Sequence, residues 1–597
     1  MYRLKNILLV YPEIPKNTYW SFEYSLRFID RSAALPPLGL ITIAALLPKR
    51  FDLKLVDMNI EPLKQSDLEW ADAVFVSAMI IQKDSLADIV RMCRKAGAPV
   101  VAGGPYPTAS HEEIEGVDHF VLGEAEAVLP DFLADFENGI AGSVYRARQK
   151  PDITHSVVPR FDLLKMNRYG SMAIQYSRGC PFNCEFCDIW IMYGNKPRLK
   201  SAESMVREID TLYRLGWRGS IFIVDDNFIG NKTRVKRELL PAIKKWEEEN
   251  RFVFNFYTEA SINMAADPEL MEGMNAVGFD QVFVGIETPS KEGLSETGKS
   301  QNLKCDLLEA VRTIQRHGME VTAGFILGFD SDTEDIFDRQ IDFIQSAGIP
   351  KAMVGVLTAL PGTKLYRRLE KDGRIIAGNL TGSNTHTMCT NVVTTMPPAK
   401  LRQGYKKVLG TLYDSNLKNY FARCETLLAR LKGTDCRRRQ LRLYEIRALL
   451  KSLAIQPFTP YGWQYLKFVA RNLMRRPGLF SEAITHAVMG HHFYIITRET
   501  LKVDAVSSTL DDIYEKTCAA IVRLADPVKV SSVLQRQKLS EGWAICMAGF
   551  EKAKTVIDHV HKDFRADVVR QYYEMVARTR ALFEDAEQQL HIRDKPA

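Results

Sequence analysis

The 597-residue sequence predicts an α/β chain in three parts: an N-terminal doubly wound sheet, a central partial (β/α)6 barrel and a mainly helical C-terminal region. Three observations carry this reading. Two series of short apolar runs alternate with amphipathic stretches, as in parallel sheets covered by helices. An aperiodic stretch with Pro151 and Pro159 separates the two series. Beyond Pro397 the strand signals give way to helical spacing.

In the first series the strand candidates are 7–10, 53–56, 73–77, 99–102 and 119–122, with helices over 37–47 and 86–95. Each strand runs into a polar or glycine-containing turn, and ligands of doubly wound sheets bind at those carboxyl ends. The second series offers strands over 172–176, 220–224, 252–257, 281–285, 320–325 and 352–357. Catalytic groups of such a barrel also belong at strand carboxyl ends. Helical spacing follows over 398–419, 435–453, 462–474 and 564–590. The expected domains are therefore 1–141, a linker 142–167, a barrel 168–395 and a helical region 396–597.

Charge and hydropathy exclude several classes. Lys and Arg number 79 against 73 Asp and Glu, a net charge of +6 over a long chain, which does not call for nucleic acid. The longest apolar runs, 38–47 and 352–360, fall short of the roughly 18 residues of a spanning helix. The apolar stretch 7–10 is too short for a signal-peptide core. The expectation is a cytoplasmic protein with reduced thiols, membrane-associated if its substrate is a lipid.

In a reducing compartment clustered cysteines point to metal. Of ten cysteines, three lie together in Arg178-Gly179-Cys180-Pro181-Phe182-Asn183-Cys184-Glu185-Phe186-Cys187. Such a loop can wrap three corners of a [4Fe-4S] cubane held by thiolates. The fourth iron then lacks a protein ligand, and an open position separates reactive metal sites from structural ones. A zinc site wants a fourth Cys or His nearby; His155, the nearest in sequence, lies beyond a predicted strand.

With this spacing, Phe186 before the last cysteine and a barrel strand ahead of it, the chain resembles the radical S-adenosylmethionine superfamily. The resemblance implies that the open iron chelates S-adenosylmethionine and that reductive cleavage yields a 5'-deoxyadenosyl radical. The later strand ends match too: Asp225-Asp226-Asn227, Glu259-Ala260-Ser261, Gly285-Ile286-Glu287, Gly324 to Gly328 and Leu360 to Thr363. It assigns S-adenosylmethionine binding to Phe186, Asp225, Asp226, Glu259, Gly285, Glu287, Ile326 and Leu327. The N-terminal part resembles the cobalamin-binding module that precedes this barrel in many radical enzymes. Its matching turns place cobalamin contacts at Pro37, Asp57, Asn59, Ser77, Gly103, Gly104, Gly123, Glu124 and Glu126. A dinucleotide-binding alternative lacks its Gly-x-Gly-x-x-Gly after the first strand, where Tyr11-Pro12 stands instead.

The whole-chain pattern, including Gly490-His491-His492-Phe493, is similar to the subgroup containing the hopanoid C-methylases. The resemblance implies a cobalamin-dependent radical methyltransferase acting through methylcobalamin on an unactivated carbon, with no catalytic residue beyond the cofactors. Its acceptor is a small molecule, a hopanoid or other polycyclic lipid among the candidates. Its electron donor is of the ferredoxin or flavodoxin kind, and a lipid acceptor brings peripheral membrane contact. A cyclase, oxidase or ring-rearranging enzyme with the same cofactors is the alternative, and a non-enzymatic redox sensor is another. Many cobalamin modules place a cobalt-ligating histidine two residues after the aspartate; here Asn59 occupies that position. His491 and His492 are expected to be structural, and Cys305 and Cys389 inert. The run Arg437-Arg438-Arg439 with Arg442, and Trp463, Tyr465 and Phe468, suit either an ordinary helix face and core or a lipid-facing surface.

Overall fold

Strand β1 (Asn6–Tyr11) shows why the first sheet forms: Ile7 and Leu9 point to one face, Leu8 and Val10 to the other, and all four are wholly buried. Ile7 and Leu9 pack with Phe75, Val101 and Phe132, whereas Leu8 and Val10 pack with Val74, Val76 and Ile89. A sheet covered on both faces requires such an uninterrupted apolar run. With β2 (Asp52–Asp57), β3 (Ala73–Ser77), β4 (Val100–Gly103), β5 (His119–Leu122) and β6 (Val144–Arg146), it forms a parallel sheet ordered β2-β1-β3-β4-β5-β6. The order reverses between β1 and β3, so their carboxyl ends open a crevice. Edge strand β6 lies inside the stretch expected as linker.

The computed structural model describes residues 4–378, 385, 390–431, 443–524 and 532–593. Cys389, Arg437, Arg438, Arg439 and Arg442 lie outside the described residues.

The second sheet starts with β7 (Ser171–Ile174), from which the chain passes through a small antiparallel ladder, β8 (Ser177–Arg178) with β9 (Arg198–Leu199). Then come β10 (Ser220–Ile223), β11 (Asn255–Glu259), β12 (Phe279–Glu287), β13 (Glu320–Leu327) and β14 (Ala352–Val356). The order β14-β13-β12-β11-β10-β7, parallel throughout, is the six-stranded partial barrel. Strand β11 starts at Asn255 rather than 252, because Arg251 and Phe252 turn the chain in the left-handed region, at φ 64° and 52°.

Chain contacts divide the molecule into two units, Met1–Tyr494 and Ile495–Ala597. The helical region expected from 396 is thus split. Helices Pro398–Leu412, Lys418–Arg430, Leu443–Ile455 and Gly462–Arg475 belong to the first unit, and the 45-residue helix Phe480–Leu524 contributes to both. In the first unit His492 is buried, its Nε2 3.1 Å from the Tyr19 carbonyl, and Phe493 stacks on the Tyr19 ring at 4.9 Å. His491 Nδ1 lies 2.5 Å from the Tyr461 hydroxyl. Burial pushes the two imidazoles down to about 4 (His491) and about 3 (His492), so both are neutral, structural side chains. The second unit packs helices Ser532–Ile557 and Lys562–Arg593 around Val506, Leu510, Phe550 and Val568.

Candidate active site

The cysteine loop leaves β8 through Gly179, whose φ of +95° and neighbours exclude a side chain: an added Cβ would stand 2.6 Å from the Gly194 carbonyl. The Gly179 N–H donates to Asp226 at 2.9 Å, and the Cys180 N–H to the Gly194 carbonyl at 3.2 Å. Farther along, Glu185 pairs with Arg368 at 2.7 Å, and its N–H donates to the Thr297 carbonyl. The Asn227 amide donates to Cys180 Sγ and the Gln301 amide to Cys184 Sγ, each at 3.9 Å. Burial pushes the Cys180 and Cys187 thiols up, so both need a positive partner to ionise.

Do these residues fit an iron–sulfur cluster? Among the described residues no three His, Cys, Asp or Glu side chains converge as a single-ion site demands. Three thiols along one loop, two of them already receiving amide hydrogen bonds, fit a cluster in which each thiolate takes a different iron.

Beyond the loop, the ends of β10 and β11 bring three carboxyls together. Asp225 accepts from the Tyr176 N–H at 2.7 Å and the Ser177 hydroxyl at 2.6 Å, so it ties down the chain entering the cysteine loop. Burial lifts Asp225 to about 7 and Asp226 to about 6. Burial, together with the charges of Asp226 and Asp225, lifts Glu259 to about 8. The trio suits a cationic ligand group, which would relieve that repulsion. Glu287, strained at φ +65°, pairs with buried Lys299. Burial would lower Lys299, but Glu287 and Cys184 raise it on balance, so it stays charged. The Asn302 amide clamps this turn by donating to the Gly285 and Ile286 carbonyls, both at 3.0 Å.

A cavity of about 200 Å³ opens beside these groups, lined by Phe283, Gly285, Glu287, Phe325, Ile326 and Met353 among others. It gathers Gly285, Glu287 and Ile326 of the expected cofactor contacts. Leu327 is wholly buried and lies outside that lining. Trp20, from the loop after β1, sets its ring 5.8 Å from Phe283.

In the first sheet, Pro37, Asp57, Asn59, Ser77, Gly103, Gly104 and Gly123 do stand at strand ends or helix starts around the crevice. Gly104, at φ +91°, lies so close to Ser77 that an added Cβ would be 2.5 Å from its Oγ. Asp57 is buried and accepts from the Tyr169 hydroxyl at 2.9 Å and from the Asn59 amide at 2.7 Å. Asn59 is committed on both sides of its amide, accepting from the Ile14 N–H at 2.8 Å and donating to the Pro12 carbonyl at 3.2 Å. Glu124 and Glu126 do something the sequence reading missed. Glu124 pairs with Arg178 at 2.7 Å and Arg198 at 2.6 Å, and Glu126 with Arg178 at 2.7 Å. They tie the first sheet to the cysteine loop. Arg178 lies two residues before Cys180, which could have drawn attention to it; Arg198, Lys299, Gln301 and Asn302 carry no local signal.

Residues 26–133 match the B12 binding domain, 174–344 the Radical SAM superfamily, and 363–504 a domain of unknown function, DUF4070. A cobalamin-binding module ahead of a radical S-adenosylmethionine barrel defines the class: a radical enzyme with a [4Fe-4S] cluster, S-adenosylmethionine and cobalamin as cofactors. The chain is 38% identical over 493 residues to the uncharacterized methyltransferase sll1242 of Synechocystis sp., covering 81% of this chain and 91% of that protein. It is 33% identical over 513 residues to the hopanoid C-2 methylase of Rhodopseudomonas palustris, covering 84% and 96%. The chain therefore belongs to the cobalamin-dependent radical S-adenosylmethionine methyltransferases that include these two proteins. The fold agrees with the apo structure of the cobalamin-dependent S-adenosylmethionine radical enzyme OxsB, at TM-score 0.53, 14% identity and 86% and 81% coverage. It also agrees with the methyltransferase TsrM of Kitasatospora setae, at TM-score 0.50, 15% identity and 67% and 82% coverage.

Two outcomes are expected. Arg178→Met leaves Glu124 buried with half its partners, and thermal unfolding of the full chain should show a loss of about 3 kcal/mol, whereas an exposed pair such as Lys5 with Asp52 should cost under about 1 kcal/mol. The second concerns pH. Glu259 keeps its proton to about 8 when folded but loses it near 4 when unfolded, so the folded cofactor-free chain binds the extra proton between those values. Stability should therefore fall as pH rises through that window. Denaturant titrations across it should show a shallower decline for Glu259→Gln.

Proposed function

We propose that the methyl acceptor is an unactivated carbon of a polycyclic lipid of the hopanoid kind. The observation that carries this is the cavity, where Phe283, Ile326 and Met353 present hydrocarbon beside the residues that face S-adenosylmethionine, so that an apolar acceptor could meet the cofactor there. The similarity to a hopanoid C-2 methylase supports the same class. When bound, the cluster with S-adenosylmethionine supplies hydrogen-atom abstraction and cobalamin supplies the methyl group. The chain's own residues hold and orient. Cys180, Cys184 and Cys187 ligate the cluster, and Asn227 and Gln301 donate to two of the thiolates. Phe186, Asp226, Glu259, Gly285, Glu287 and Ile326 face S-adenosylmethionine, with Asp225 and Leu327 supporting from behind. Pro37, Asp57, Ser77, Gly103, Gly104 and Gly123 form the cobalamin crevice, while Glu124 and Glu126 hold it against the cysteine loop. Electrons come from a ferredoxin- or flavodoxin-type donor, and a lipid acceptor requires that the protein reach a bilayer.

Reaction of the reduced, reconstituted enzyme with a polycyclic lipid should yield S-adenosylhomocysteine and 5'-deoxyadenosine together with a product heavier by one methylene unit. Formation of 5'-deoxyadenosine without S-adenosylhomocysteine would identify a cyclase, oxidase or ring-rearranging enzyme instead. Lipid extracts from a producing strain and one lacking the gene should differ by that same mass.

The crevice also bears on cobalt. Amides are poor ligands beside imidazole, and both ends of the Asn59 amide are engaged by the chain. We propose that cobalamin binds base-off with no protein nitrogen below the metal. Electron paramagnetic resonance of the Co(II) state should then lack nitrogen superhyperfine splitting. Its presence would refute the assignment.

A further inference from the structure

The helices Leu443–Ile455 and Gly462–Arg475 form a hairpin that is apolar on the wrong side. On Gly462–Arg475, Tyr465, Phe468 and Val469 are buried against the first unit, as an amphipathic helix requires. Yet Trp463, Leu466, Leu473 and Met474 form a second stripe on the opposite face, with Trp463 68% and Met474 76% exposed. The preceding helix does the same: Ile446, Leu450 and Leu453, one turn apart, point outward, and Leu450 is 61% exposed. At the turn joining the two, Phe458 is 88% exposed. A helix apolar on both faces is normally covered on both, and a cluster of exposed apolar side chains with a polar rim marks an interaction site.

The charges beside the stripe say what covers it. Helix Gly462–Arg475 carries Lys467, Arg471 and Arg475 and no carboxylate; Arg471 is paired with Glu425 at 2.6 Å, which leaves Lys467 and Arg475 as the cations of the stripe. Lys467 sits 5.0 Å over the Trp463 ring, so the aromatic and the cation share one edge. Basic side chains flanking an exposed Trp, Phe and Leu stripe are the pattern of a helix lying in the membrane interface, its apolar face in the acyl boundary and its cations at anionic headgroups. A second copy docked through the same face would present another helix without a carboxylate, and so would offer these cations no partner. Among the described residues no helix is long and apolar enough to cross a membrane.

We propose that this hairpin is a membrane-docking surface that inserts Phe458, Trp463 and Met474 into one leaflet of an anionic bilayer. The inference stands on the exposed face alone and goes beyond the acceptor reading, because docking does not depend on which lipid is methylated.

The test uses the full-length, cofactor-loaded protein and sedimentation with vesicles of phosphatidylcholine containing phosphatidylglycerol, free of any polycyclic lipid. The parent should bind, and the variant Phe458→Ser/Trp463→Ser/Met474→Ser should bind roughly tenfold more weakly or worse. Lys467→Glu/Arg475→Glu should lose binding to the anionic vesicles, and added salt should weaken the parent in the same way. All five positions are exposed, so melting temperatures should match the parent, and methyl transfer to detergent-dispersed acceptor should persist in the serine variant. Equal vesicle binding by the parent and the serine variant overturns the proposal. So does a parent dimer that the serine substitutions convert to monomer, since the face would then be covered by a second copy.

Discussion

The buried ionic contact between Glu124, Glu126, Arg178 and Arg198 is the constraint on which the rest of the architecture depends. Two carboxylates meet two guanidiniums, so the group is neutral overall, and Arg198 also donates to the Pro151 and Tyr193 carbonyls. A buried charge network is tolerated only when its charges are paired and hydrogen-bonded, as both carboxylates here are by guanidiniums. Its consequence is positional. Arg178 is followed by Gly179, whose N–H is held by Asp226, and then by Cys180; the turn after β5 is thereby indexed to the thiol loop and to the end of β10. On the other side of the crevice, Tyr169 donates to Asp57 two residues before β7 begins. Without such ties, relative motion of neighbouring domains is the default expectation. Radical chemistry shared between a barrel and a separate cofactor module requires that this motion be removed.

Much of this was legible in the sequence because it is local. The alternation that puts Ile7 and Leu9 on one face and Leu8 and Val10 on the other is read from four consecutive residues, and the cysteine spacing from eight. What could not be read is pairing across long separations. Glu124 and Glu126 sit in a turn of the right type for the cobalamin crevice, but whether a carboxylate faces a ligand or an arginine 54 residues away is decided by tertiary structure. Lys299 and Gln301 were invisible for the same reason, since Gln301 reaches a cysteine 117 residues earlier. Strand β6 was missed because Val144 and Arg146 are exposed at a sheet edge and bear no apolar signature. The trio Trp463, Tyr465 and Phe468 gave two readings at once, and the structure divides them: helical geometry sends Tyr465 and Phe468 inward and Trp463 outward.

The division of polar groups around the cavity follows from the chemistry each side must face. Amide and ammonium donors, Asn227, Gln301 and Lys299, gather at the thiols, where negative charge is to be held. The carboxyls Asp226 and Glu259 gather at the ends of β10 and β11, where burial, and for Glu259 the neighbouring carboxylates, raise their proton affinities. Between them the walls are hydrocarbon and glycine apart from Thr385 and Glu287, and Glu287 is already paired with Lys299. Among the described residues lining the cavity, none is a free acid or base to offer a substrate. That deficit suits abstraction of a neutral hydrogen atom: when no charge develops on the acceptor, an apolar wall excludes water and side reactions without having to stabilise an ion, and the polar groups are left to the cofactors on either side.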